Sequence, residues 1–403
     1  MGACRGDEKA VSGLLFAIVI AITAVGPLTL HLALPAFPAI QHDLGASLAT
    51  LQLAVSVAML TMAFATLLYG PLSDRFGRRP VLLGGLALFT LGSVICTIAP
   101  NITALIIGRF VQAAGAGCGT VLGRTIMADV YSRERLAGML GYMVAAYTIA
   151  PALAAPLGGN LSAGFGWRSV FGFAAIAGAA IFIACVFLLA ESNKHPATGR
   201  SLGQLARGNL AVMRLPNFLP FAMQMGFGGV MFFAFLSAAP HLVIDLQGRS
   251  SAEYGTYFLF LPLGYLIGSL ATGRLGSRFA SAYMVLAGSA IAAFSVIVMA
   301  VWETLDPTST LAFFVCVGVM VMGGGISTPH AQASGVSRAG SLAGTASGML
   351  VFVQWGMGAL AAQLVGMIAD GTARPVLVLL VLASLCSTGF AVIAVRNARA
   401  AAP

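Results

Sequence analysis

The amino-acid sequence predicts an all-α polytopic membrane protein: twelve transmembrane helices in two pseudo-symmetric six-helix bundles. Three observations carry this reading. Of 403 residues, 59% are hydrophobic and only 8% charged, and the mean hydropathy of +0.95 lies outside the range of water-soluble domains. Apolar runs, each close to the roughly 20 residues that cross a bilayer core, alternate with short charged or Pro/Gly-rich breaks. Finally, the loop after the second run returns, altered, after the eighth.

The first run, 12–38, is too long for a signal-peptide core and has no small-residue cleavage site behind it, so it is expected to remain as the first helix. Gly6 stands where myristoylation needs Ser or Thr, so no lipid anchor is expected. Runs 47–70, 80–99, 103–127, 137–160 and 167–189 complete a first domain, 1–190. The polar stretch 191–216 carries Lys194, Arg200, Arg207 and Arg214 and reads as a cytoplasmic linker. Runs 217–244, 252–273, 281–301, 309–333, 343–369 and 375–395 form a second domain, 217–403. The repeated loop supports the division: Gly70-Pro-Leu-Ser-Asp-Arg-Phe and Gly273-Arg-Leu-Gly-Ser-Arg-Phe share Gly, Leu, Arg and Phe at a constant offset.

Charge sets the orientation. With the N-terminus in the cytoplasm, the loops on the far side hold only Arg168, Arg249 and Arg374, so both termini are expected to be cytoplasmic. The net charge of +9 is spread over short loops and not clustered with aromatics, which argues against a nucleic-acid partner. Cys96, Cys118, Cys185, Cys316 and Cys386 lie in apolar runs and Cys4 in the leading tail, without the paired spacing of metal or disulfide sites. No metal or other cofactor is expected. His-x-x-Glu-His, Gly-x-Ser-x-Gly and P-loop patterns are absent, so neither an enzyme nor a nucleotide-driven machine is expected. A sensor would carry a soluble domain for which the tails leave no room. The expected partners are the lipid bilayer and a small-molecule substrate, with the chain acting as a monomer.

The stretch from Gly70 to Pro80, Gly-Pro-Leu-Ser-Asp-Arg-Phe-Gly-Arg-Arg-Pro, resembles the loop signature of the major facilitator superfamily. Gly70 is expected to permit close helix packing and Asp74 to cap the next segment, while Arg75, Arg78 and Arg79 supply positive-inside charge. The resemblance implies a cytoplasmic gate in which Asp129, ending the fourth run, is the acidic partner. Leu105-Ile-Ile-Gly-Arg109-Phe-Val-Gln112-Ala-Ala-Gly115 is similar to the superfamily's second motif. An intramembrane Arg persists only where it faces a cavity or a partner, which makes Arg109 a functional candidate. Gln112, Ala116, Thr120 and Gly123 continue its face.

Pro151, Pro156, Gly158 and Gly159 resemble the Pro-Gly antiporter motif, which implies a bent fifth helix packed against the eighth. Pro156 lies two residues before the Gly pair where the family has three, which leaves antiport open. His31-Leu-Ala-Leu-Pro35-Ala-Phe-Pro38 resembles the ending of the first helix in Bcr/CflA-like drug exporters, and Thr328-Pro329-His330 fits the same branch. The resemblance implies the major facilitator fold, a bacterial inner-membrane location, and efflux of drugs or small toxic metabolites by alternating access, driven by a proton gradient.

The departure is chemical. His31 stands where that branch has an acid, and no Asp or Glu falls in the middle of an apolar run. Thr23, Pro27, His31 and Pro35 repeat every four residues, so His31 is expected to face the cavity and Arg109. There it either takes a proton transiently or donates a hydrogen bond to substrate; a packing role is the alternative. Phe232, Tyr257 and Trp355 are candidate apolar walls, with Met223, Met225 and Phe235, and Tyr147 and Gln354 are polar candidates. A second function stays open: a facilitator, importer or exporter of a small organic anion, without carboxylate-based proton coupling.

Overall fold

A computed structural model describes residues 3–130, 150–151, 153–193, 202–215, 218–275, 278–306, 309–337, 339 and 342–400. The described chain is helical throughout, and its helix breaks follow proline and glycine. Helix α1 (Ala3–Ala33) gives way to a 3-10 turn, Leu34–Ala36, because Pro35 and Pro38 remove backbone donors; α2 (Phe37–Leu44) then runs to Gly45, whose φ of 59° ends it. Ser47 opens α3 (Leu48–Phe76) by accepting a hydrogen bond from the backbone N–H of Thr50. Gly77, at φ 95°, turns the chain sharply into α4 (Arg78–Thr97).

Next come α5 (Ile102–Val130), α6 (described at residues 150–151 and 153–165) and α7 (Arg168–Leu188). The linker contains an unexpected helix, α8 (Leu202–Met213), which lies against the later α14 and buries Val212. Helix α9 (Phe218–Pro240) runs into a π-helical turn, His241–Leu246. The eighth run is split into α10 (Ser251–Tyr257), opened by a reciprocal Ser250–Glu253 capping box, and α11 (Phe260–Leu275). Pro262 explains the split: it has no N–H to give the Phe258 carbonyl, and its ring crowds that oxygen. Helices α12 (Ser281–Leu305), α13 (Thr310–Ser337), α14 (Ala343–Ile368) and α15 (Arg374–Ala400) complete the chain.

Among the described residues, 11 helical segments are long and apolar enough to cross a membrane. The fifth predicted run falls partly outside the described residues, and the first extends to Leu44. Large apolar side chains such as Leu91, Ile176, Phe187, Phe294 and Leu382 are exposed on α4, α7, α12 and α15, where only lipid is a compatible solvent.

Glycine brings the helices into contact in both bundles. A Cβ on Gly92 of α4 would strike the backbone of Gln112, and one on Gly115 of α5 would strike that of Phe89. The equivalent crossing of α12 and α13 is made by Gly288 and Gly323, each against the other's carbonyl. Between bundles, α3 runs along α14, from Gly366 against Ala49 and Gln52 to Gly348 against Leu67, with Phe64 and Phe352 edge to face at 5.1 Å. Gln52 donates to the carbonyl of Ser237 on α9 at 2.7 Å, tying the bundles at the same end as Ala49.

Candidate functional site

A cavity lies between the bundles beside α5, enclosing about 290 Å³ free of atoms, part of it open to solvent. Gly26, Thr29 and Leu30 of α1, Ala58, Met59 and Met62 of α3, Arg109, Gln112, Ala113 and Ala116 of α5, and Trp355 of α14 line it. Arg109 is 4% exposed and is the buried cation among the described residues, and no described carboxylate is buried. Its Nη1 donates to Gln112 Oε1 at 2.6 Å; Gln112 Nε2 donates to Ser93 Oγ at 2.8 Å; Ser93 Oγ donates to the Phe89 carbonyl at 2.8 Å. This relay fixes the Gln112 amide with its oxygen toward Arg109. The guanidinium also lies 6.0 Å from the Phe171 ring centre. Arg109 and Gln112 thus share the cavity wall. Ser93, which orients them, was not singled out in the sequence, where nothing distinguishes it from a packing serine.

His31 is placed elsewhere. The cavity-facing side of α1 is Gly26, Thr29 and Leu30, and His31 points to the second bundle, 5.4 Å from the ring centre of Phe258 and 6.2 Å from that of Phe232. It is 5% exposed, and its Nδ1 has no hydrogen-bond partner. The expectation that the Thr23, Pro27, His31 and Pro35 face turns to the cavity and Arg109 is therefore corrected. The 3.6-residue period rotates a four-residue repeat around the helix, and the aromatic pocket at the α10–α11 break claims the imidazole.

Around His31 the bundles are sealed. A Cβ on Gly158 of α6 would strike the Leu32 carbonyl, one on Gly159 the Ser251 carbonyl, and one on Gly255 would lie 2.7 Å from Pro156 Cα. Pro156, Gly158 and Gly159 therefore pack α6 onto α1 and α10. Pro151 lies one turn back on α6, half-buried. Phe232 is in this seal, while Tyr257 stacks on Phe314 at 5.6 Å and the backbone of Gln354 backs onto Gly229. Neither Tyr257 nor Gln354 lines the cavity, nor do Met223, Met225 or Phe235; Met59 and Met62 supply its soft wall instead. Tyr147 lies outside the described residues.

At the arginine-rich end, Arg78 pairs with Asp74 and donates from Nε to Asp129 Oδ2 at 3.1 Å. Ser192 Oγ donates to the same Asp129 oxygen at 3.1 Å. Arg75 lies apart, over the Phe76 ring at 5.1 Å. Two expectations fail here. A Cβ on Gly70 would meet nothing within 4 Å, so Gly70 does not serve close packing in this state, and the repeat's Gly273 is equally open. The cap of α4 is not Asp74 but Glu191, which accepts from the backbone N–H groups of Arg78 at 2.8 Å and Arg79 at 3.0 Å. Asp74, at the end of α3, is taken up by the Arg78 side chain. The opposite end is pinned by Asp43, which binds Arg168 at 2.7 Å and the Trp167 indole N–H at 3.0 Å.

Comparison with known proteins agrees with this architecture. A family model described as Major Facilitator Superfamily matches residues 14–362. An uncharacterized MFS-type transporter, YdgK, of Bacillus subtilis is 28% identical over 361 residues, 88% of each chain. A bicyclomycin resistance protein homolog of Haemophilus influenzae is 27% identical over 88% of this chain and 89% of that protein. The multidrug resistance protein MdtL of Shigella dysenteriae is 33% identical over 59% of this chain and 60% of its own. Among solved structures, a variant of the peptide transporter POT in complex with alafosfalin superposes with a TM-score of 0.77 at 13% identity, covering 96% of this chain and 94% of that one. A D-xylose–proton symporter superposes with a TM-score of 0.71 at 14% identity, over 95% and 96% of the two chains.

Proposed function

The chain belongs to the Major Facilitator Superfamily, a family of multi-pass membrane transporters of small molecules, and from that premise we propose that it is a proton-coupled exporter of drugs or small toxic metabolites. The observation that carries this reading is the partly open cavity between the bundles, apolar but for Arg109, Gln112 and Thr29, sealed at the His31 end. The names of two relatives, a bicyclomycin resistance protein homolog and a multidrug resistance protein, point the same way. In this reading residues 1–190 and 217–403 rock about the cavity as a monomer in a bacterial inner membrane. The arginine-rich end and both termini face the cytoplasm.

Asp74, Arg78 and Asp129 form the cytoplasmic gate, flanked by Gly70 and Arg75. Pro151, Pro156, Gly158 and Gly159 close the outer one. With no described carboxylate buried, His31 is the titratable group assigned to the proton pathway, reached when the seal with Phe232 and Phe258 parts. Purified protein in proteoliposomes tests both parts. Export in the native chain is expected to depend on an imposed pH gradient, and His31→Ala to lose that dependence while keeping exchange of labelled for unlabelled substrate. Equal flux without a gradient in the native chain would show that the transport is not proton antiport. A resistance screen in a pump-deficient host tests the cargo class; no change across neutral, anionic and cationic drugs removes the export reading.

A further inference from the structure

We propose that the Arg109 cavity binds small lipophilic monoanions, seating the anionic group on the Arg109 guanidinium and the apolar body between Met59, Met62 and Trp355. This rests on the reading of the chain as an exporter and narrows its cargo. A guanidinium has five N–H donors and keeps its proton. Arg109 is 4% exposed, yet among the described residues the side chain that hydrogen-bonds it is a neutral amide, Gln112 Oε1. That amide is held by Ser93 and cannot supply a charge.

Among the described residues no acid lines the cavity, and the described acids lie at the helix ends; Asp74 and Asp129 are engaged with Arg78, and Asp43 with Arg168. A buried charge is stable only when paired, so the missing negative charge falls to the ligand. One guanidinium without a counter-charge matches one carboxylate, whose two oxygens suit its fork. The rest of the wall sets the other half of the specificity. Leu30, Ala58, Met59 and Met62 offer no donor, and the Trp355 indole, braced by Phe233 at 5.1 Å, presents a flat apolar surface. An aromatic carboxylate matches the chemistry of both ends of the cavity, and an organic cation matches neither the charge nor the donors.

The test is calorimetric titration of the purified full-length protein with three ligands of one shape: naphthoate, naphthamide and naphthylmethylammonium. Naphthoate is expected to bind at least about tenfold tighter than naphthamide, the ratio of a charged to a neutral hydrogen-bonding partner, with the ammonium weakest. Arg109→Gln should level naphthoate and naphthamide. Met62→Glu keeps Arg109 but supplies the absent carboxylate, and should abolish naphthoate binding while admitting the ammonium. No naphthoate binding, equal binding of the three by the native chain, or a preference that survives both variants overturns the proposal. Failure here with drug resistance intact in the host leaves the export reading standing. Naphthoate binding without export of any compound removes the export reading alone.

Discussion

Glu191 shows how much one carboxylate can organise. It is partly desolvated, which alone would raise its pKa, but backbone N–H groups of Asn193, Arg78, Arg79 and Ser192 outweigh this and hold it below the usual carboxylate range. Because the folded value lies below the unfolded one, the stabilisation is full at neutral pH and is lost as pH falls through the folded value. Glu191→Gln is therefore expected to cost about 1 kcal/mol at pH 7, as the loss of a charged cap does. The difference from the native chain should shrink below the unfolded carboxylate pKa of about 4.3. Thermal unfolding of both proteins in detergent across that range measures it. Glu191 is not legible as a cap in the sequence, because the helix it caps begins 113 residues earlier. Arg109 and Gln112 were legible, since an Arg inside an apolar run is costly wherever the fold puts it. The direction of His31 was not, because it depends on an aromatic pocket built by α9 and the α10–α11 break.

At the level of helices, proline and length told most of the story. The run 12–38 reads as one helix where Pro35 ends α1 at Ala33 and α2 continues to Leu44, the run 47–70 stops short of the end of α3 at Gly77, and the split of the eighth run traces to Pro262. Helix α8 and the π-turn after Pro240 were hidden, the one in a stretch read as polar, the other in an apolar run with no visible fault. Glycine's role divides by environment. Gly92→Ala should destabilise the protein by about 1–3 kcal/mol, since the added methyl meets the Gln112 backbone, which cannot yield as a side chain does. Gly356→Ala on α14, where a Cβ meets nothing within 4 Å, should be neutral or stabilising through helix propensity. Detergent melting curves of the two variants, side by side, check the contrast; equal shifts would mean that the α4–α5 crossing is looser than its geometry.

Over the whole molecule, the 11 described crossings were legible as apolar runs and the Pro-Gly resemblance implied the packing of the fifth run on the eighth, but the meeting of α3 with α14 was not legible. The packing of α6 on α10 is made by backbone atoms at Gly159 and Gly255. The contact belongs to the state sealed around His31, so Gly159→Val should disfavour that state and not the fold. Spin labels on cysteines placed at Asn101 and Asp370, in a background without native cysteines, are expected to move apart in the variant. An unchanged distance distribution would mean that the seal does not define the state.

The unpaired guanidinium of Arg109 has a bearing on energetics. With a monoanion seated, the cavity is electrically neutral; vacated, it holds one positive charge. A membrane voltage exerts about 2.3 kcal/mol per charge per 100 mV on a charge that crosses its full field, and nothing on a neutral pair. Voltage therefore acts on the returning, empty carrier and leaves the loaded step alone, and turnover under an applied potential becomes a direct reading of which half of the cycle limits the rate.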